Sequence, residues 1–167
     1  MTAGLASAQT TVTVPDSSQT TTMTANVSEQ AQVTVPAGVT FNVTNVAANT
    51  AASAASVTVD TIVLATATKQ LKISLQAGAA SFTPSVALAT TWAAGDVSWN
   101  AATYSASGVG ATGTLSNTAY NAIATCGADA ASCSTTNLVF TLASKATVKR
   151  SGNHTLVMTW KFESIGS

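Results

Sequence analysis

Charge is what this sequence has least of. Of 167 residues, six are basic and six acidic, 7% in all with a formal net charge of zero, whereas an ordinary soluble domain has about 25% charged residues. So neutral a chain offers no basic face to the phosphates of a nucleic acid or to an anionic membrane surface. The six acids (Asp16, Glu29, Asp60, Asp96, Asp129 and Glu163) lie far apart in sequence. They therefore mark neither the carboxylate pair of a glycosidase nor the clustered oxygens of a calcium loop. Histidine is scarcer still. His154 is the single imidazole, and a hydrolytic triad needs a base flanked by a nucleophile and an orienting acid. No Gly-x-Ser-x-Gly elbow supplies that nucleophile. "SGVGATG", residues 107–113, has the glycines of a phosphate loop without its lysine or a following helix, and is expected to be a hairpin or flexible loop. No catalytic residue, cofactor site or metal site is expected, and no enzymatic activity. No apolar run approaches the roughly 20 residues of a membrane-spanning helix.

Cysteine is limited to Cys126 and Cys133. The residues between them in "CGADAASC" are small and turn-prone, and a structural zinc would need four ligands. A loop-closing disulfide is expected, contributing about 2–3 kcal/mol for so short a closure and pointing to an oxidising, extracytoplasmic compartment. Ala6-Ser7-Ala8 has the small-x-small form that precedes a signal-peptidase cut. Residues 1–8 are therefore either the remnant of a signal sequence or a flexible N-terminus.

What the sequence does have is β-branched and small polar residues in strict alternation. Thr and Val favour extended backbone, and Thr, Ser, Asn and Gln must supply the solubility that charge does not. "TVTVP" at 11–15 and "QVTVP" at 32–36 are near copies, each an alternating strand stopped by proline. "VTFNVTNV", 39–46, puts Val39, Phe41 and Val43 on one face. After a low-complexity spacer over 47–55, expected to be a loop, come "SVTVD" and "TIVLATA". In "LKISLQA" the residues Leu71, Ile73, Leu75 and Ala77 point inward, and Lys72, Ser74 and Gln76 outward. "DVSWN", "GTLSNTAYNAIAT" and "NLVFTLA" supply further strands, the last with Leu138, Phe140 and Leu142 facing the core. From His154 onward, Leu156, Met158, Trp160 and Phe162 alternate with Val157, Thr159, Lys161 and Glu163, the pattern of a terminal core strand. Short alternating segments separated by turn signals predict an all-β, Ig-like antiparallel β-sandwich over residues 31–167, preceded by an extended N-terminal arm over 9–30.

The order "VTVPAGVTFNVTNV", "LKISLQAGAASFTP", "DVSWN", "SGNHTLVMTWKFESI" resembles a set of bacterial secreted proteins that end in a Gly-(Asn/Asp)-His-Thr-Leu-x-x-Thr-Trp strand. The resemblance covers most of the chain after residue 30 and transfers no site. More broadly the architecture is similar to Ig-like surface domains and fimbrial (pilus) subunits. The cysteine spacing departs from the usual fimbrial arrangement, in which the bridge ties separated strands.

Two functions follow as expectations. The first is a secreted, non-enzymatic structural subunit of a surface filament or extracellular matrix. Its partners are copies of itself, and the arm, with Val12, Val14, Met23 and Val27, adds as a strand to the edge of a neighbour. The second is a monomeric carbohydrate-binding or cell-adhesion module, in which Trp92 and Tyr104 of "TTWAAGDVSWNAATY" stack on glycans of a host or cell surface. Trp99, inside a strand, is expected to plug the core. "KATVKRSGNH" gathers Lys145, Lys149 and Arg150 in what is expected to be a solvated turn.

Overall fold

The computed structural model describes residues 10–166. Its strands are β1 (Gln30–Thr34), β2 (Thr50–Ala51), β3 (Ala55–Val63), β4 (Gln70–Ala77), β5 (Val97–Trp99), β6 (Val109–Gly110), β7 (Gly113–Thr114), β8 (Asn121–Thr125), β9 (Cys133–Leu138), β10 (Phe140–Leu142) and β11 (Met158–Ile165). The one helical element among the described residues is a 3-10 turn at Ala94–Asp96, and none is long and apolar enough to cross a membrane. The strands form three antiparallel sheets, ordered β1-β3-β9, β2-β10-β5-β7 and β11-β4-β8-β6.

β9 and β10 are separated only by Val139, and Asn100 bridges the interruption. Its Oδ1 accepts from the Val139 N–H at 2.7 Å, and its Nδ2 donates to the Asn137 carbonyl at 3.0 Å. The first two sheets thus continue into one another, and their apolar sides share one core with the third. Val57 and Val59 of β3, Ile73 and Leu75 of β4, Ile123 of β8, Leu138 of β9 and Phe140 of β10 are all at most 1% exposed. The arrangement is sandwich-like, as the strand spacing predicts. Trp99 is buried edge-on against Phe140, with 6.2 Å between ring centroids. The Cys126–Cys133 disulfide is formed, with the Cα atoms 5.8 Å apart. It joins the end of β8 to the start of β9 and so ties the third sheet to the first.

Several sequence expectations fail for identifiable reasons. Ser74 is fully buried rather than outward. It pairs with Lys161 across the β4–β11 ladder, and Lys161 reaches over the sheet to place its ammonium 5.2 Å from the Tyr120 ring centre. The aliphatic stem of the lysine therefore lies over the short serine. The 47–55 spacer contains β2, which pairs with β10. Residues 107–113 are not a hairpin: β6 joins β8 in the third sheet while β7 joins β5 in the second. Gly113 is required there, because a Cβ would stand 2.6 Å from Cζ2 of Trp99. The 11–15 copy of "TVTVP" forms no strand, and residues 10–29 are exposed throughout. Ala6-Ser7-Ala8 and Gln9 lie outside the described residues.

Two substitutions test this core. Gly113→Ala is expected to lower stability by about 1–3 kcal/mol in urea titration, since the backbone and the Trp99 ring must separate. Tyr104 is 5% exposed and its hydroxyl has no partner among the described residues; burial pushes its pKa up to about 12. The fold therefore favours the neutral phenol. That contribution is complete below the ordinary tyrosine value of about 10 and is lost as pH rises through the folded value. Tyr104→Phe is expected to melt higher than wild type at neutral pH and to lose less stability at about pH 11.

Candidate functional site

The apolar set of the last strand is only half-buried. Leu156, Met158, Trp160 and Phe162 alternate in sequence as a core strand would, yet each keeps part of its surface in solvent. The cause is topological, for among the described residues β11 has one neighbour, β4, and lies at the edge of its sheet. Just upstream, Thr155 pairs with Thr83, and the Val157 carbonyl accepts from Gly78 at 2.9 Å.

A second unpaired edge faces it. Val39, Phe41, Val43 and Val46 turn their side chains toward the core while Thr40, Asn42 and Thr44 are exposed. The alternation expected for 39–46 is present, but without a ladder. Among the described residues, the backbone hydrogen bond within 35–45 is a local one from Val43 N–H to the Phe41 carbonyl at 3.1 Å. The segment is anchored at its two ends, by the β1–β3 ladder up to Thr34 and by the Lys145 N–H donating to the Val46 carbonyl at 2.6 Å.

Between residues 35–46 and 148–160 runs an open groove of about 1310 Å³. Its floor is apolar, with Phe82, Trp92, Val97, Leu115, Phe140 and Leu142, and it is larger than the roughly 300–1,000 Å³ of a small-molecule pocket. Its lining combines this apolar floor with the backbone of two amphipathic segments.

Trp92 helps to form the floor. It is 5% exposed, and its indole N–H donates to the Ala143 carbonyl at 2.9 Å. His154 stands edge-on to it, with 5.3 Å between ring centroids. The Nε2 of His154 lies 3.2 Å from the Arg150 carbonyl, which can only accept, so Nε2 donates there, and Nδ1 shares a 2.7 Å hydrogen bond with the Thr91 hydroxyl. Both ring nitrogens are thereby committed to holding the 150–154 turn against the 91–92 segment. Tyr104 is as buried as Trp92. The two aromatics named for glycan stacking are therefore almost wholly buried, Trp92 beneath the groove and Tyr104 in the core. Val12 and Val14, with Met23 and Val27, are instead open to solvent, Met23 at 94%, on a segment that makes no ladder. The structure does not bring them to the groove.

The sequence expectations did not include the groove. The one available sign was that 39–46 and 156–162 are both amphipathic, with no third alternating segment assigned to complete either.

Asp96 holds the far end of the groove wall. Burial opposes its ionisation, but the Lys145 ammonium at 2.8 Å and the Ala93 N–H at 2.8 Å outweigh it and keep the carboxyl below its usual range. Stability from this depressed group is present above the unfolded value of about 4 and is lost as pH falls through the folded one. Asp96→Asn is expected to lower the melting temperature at neutral pH and to flatten its acid dependence, as followed by circular dichroism. Comparison of the chain with protein-family models, curated proteins and solved structures finds no match.

Proposed function

We propose that this protein is a secreted structural subunit of a homopolymeric surface filament or matrix. Its groove receives an extended strand from the N-terminal arm of a neighbouring copy. The sandwich is of Ig-like kind with one edge position left for that neighbour. The observation that carries the reading is the pair of amphipathic segments, 35–45 and β11, that line the groove, the first with only local backbone hydrogen bonds and the second laddered to β4 alone among the described residues. An unpaired buried-side edge is costly unless another strand covers it. The arm has matching chemistry, since Val12 and Val14 alternate with threonines, and so do Met23 and Ala25. Neutrality also favours the reading, because copies packed side by side do not repel. Each subunit gives an arm and accepts one, so the contact is head-to-tail and propagates into an open filament unless rotation closes it. The disulfide fits an oxidising environment outside the cytoplasm.

Electron microscopy and size exclusion of the oxidised full chain test this. Regular filaments are expected for wild type. The double variant Val12→Asp, Val14→Asp alters exposed residues outside the core, so it is expected to melt as wild type does but to form no filaments. Filaments of unchanged length in that variant would remove the arm's distal end from the contact.

A further inference from the structure

We propose that the arm, open in this structure, is a strap that folds back to close the groove of its own subunit, lying parallel to β11, and that this closed form holds the free subunit back from assembly. The inference rests on the groove-and-arm reading above and concerns its regulation.

The root of the arm is fixed. Oε1 of Glu29 accepts from the Ala65 N–H at 2.7 Å, from the Lys69 ammonium at 3.1 Å and from the Ser164 hydroxyl at 3.1 Å. These donors hold the carboxyl of Glu29 below the ordinary carboxylate range, the Ala65 N–H most strongly. Glu29 is thus clasped beside the C-terminal end of β11, and whatever precedes it starts from that point.

Polarity and register follow. An arm that folds back from Glu29 toward the groove runs along β11 in the same N-to-C sense. Both strands rise about 3.3 Å per residue, so an arm aligned with Glu29 level with Ser164, its side-chain partner, brings Val27 level with Phe162, Ala25 with Trp160 and Met23 with Met158. Val27, Ala25 and Met23 share one face of an extended chain, as do the three β11 residues. The half-buried apolar row of β11 thereby meets an apolar row of the same period.

Reach agrees as well. The free residues 10–28 have a root-mean-square span of roughly 24 Å as a flexible chain. Trp160 and Met158 lie about 13 and 20 Å up the strand from Ser164. A tether matched to its span gives an effective concentration of the order of millimolar. At micromolar protein, a neighbour's arm competes against that figure at a disadvantage of about a thousandfold. Filament growth then requires exchange of the arm's own pairing for a neighbour's. A neighbour is free of the Glu29 constraint and can pair antiparallel, the slightly more stable ladder, which gives the exchange a direction.

Hydrogen exchange read by mass spectrometry on the monomer fraction of the full chain tests the proposal, with Met23→Asp, Val27→Asp as the comparison. In wild type, amides of residues 21–27 are expected to exchange at least about tenfold more slowly than in the variant. The protection should be the same at two protein concentrations. Exchange at the unstructured rate in the monomer would overturn cis closure and leave the filament reading intact. So would protection that grows with concentration, or wild type that forms filaments with no monomer phase at any dilution. A protected monomer that never forms filaments would support cis closure while removing the filament reading.

Discussion

A backbone edge beside an apolar row must find a partner, and that requirement organises this protein. The terminal strand β11 is laddered to β4 on one side only, and residues 35–45 lie opposite with the same alternation and no ladder. Water can satisfy the exposed carbonyls and amides of either edge, but not the apolar side chains of Phe41, Met158 and Trp160 that the edges carry. One more extended strand would satisfy both requirements at once.

The groove persists because its walls are tied elsewhere. Asn100 fastens the first two sheets together across the β9–β10 break, and the disulfide fastens the first to the third. The Val46–Lys145 hydrogen bond and the Lys145–Asp96 pair fix the C-terminal end of the 35–46 wall to the start of β5. His154 and Thr91 brace the opposite wall. Except for the disulfide, which closes a short loop, these ties join residues far apart in sequence, so collapse of the groove would require breaking contacts that also organise the core.

Near-absence of charge takes on meaning beside this geometry. The few ion pairs are put to local structural use: Glu29–Lys69 at the arm's root, Asp96–Lys145 at the groove end, and Lys161–Glu163 along β11. Few charges are left unpaired, and the arm, rich in Thr, Ser, Val and Met, carries little charge of its own.

Local alternation in the sequence determined the all-β class, most strand positions and the inward face of each. Leu71, Ile73 and Leu75, and Leu138, Phe140 and Leu142, were legible as inward because period two is a property of neighbouring residues, whereas Ser74 is buried against that period. The cysteine pair was legible because the residues between are too small and unreactive for another use. Which strands pair, and which edges are left without partners, depends on contacts between distant residues that alternation does not encode. Val39 to Val46 and Leu156 to Phe162 therefore look like ordinary core strands in sequence. Trp92 and Tyr104 likewise could be surface or core until the packing placed them inside. Only the tertiary structure turned two amphipathic strands into the facing walls of a groove, because a strand's alternation says which side is apolar but not whether anything lies against it.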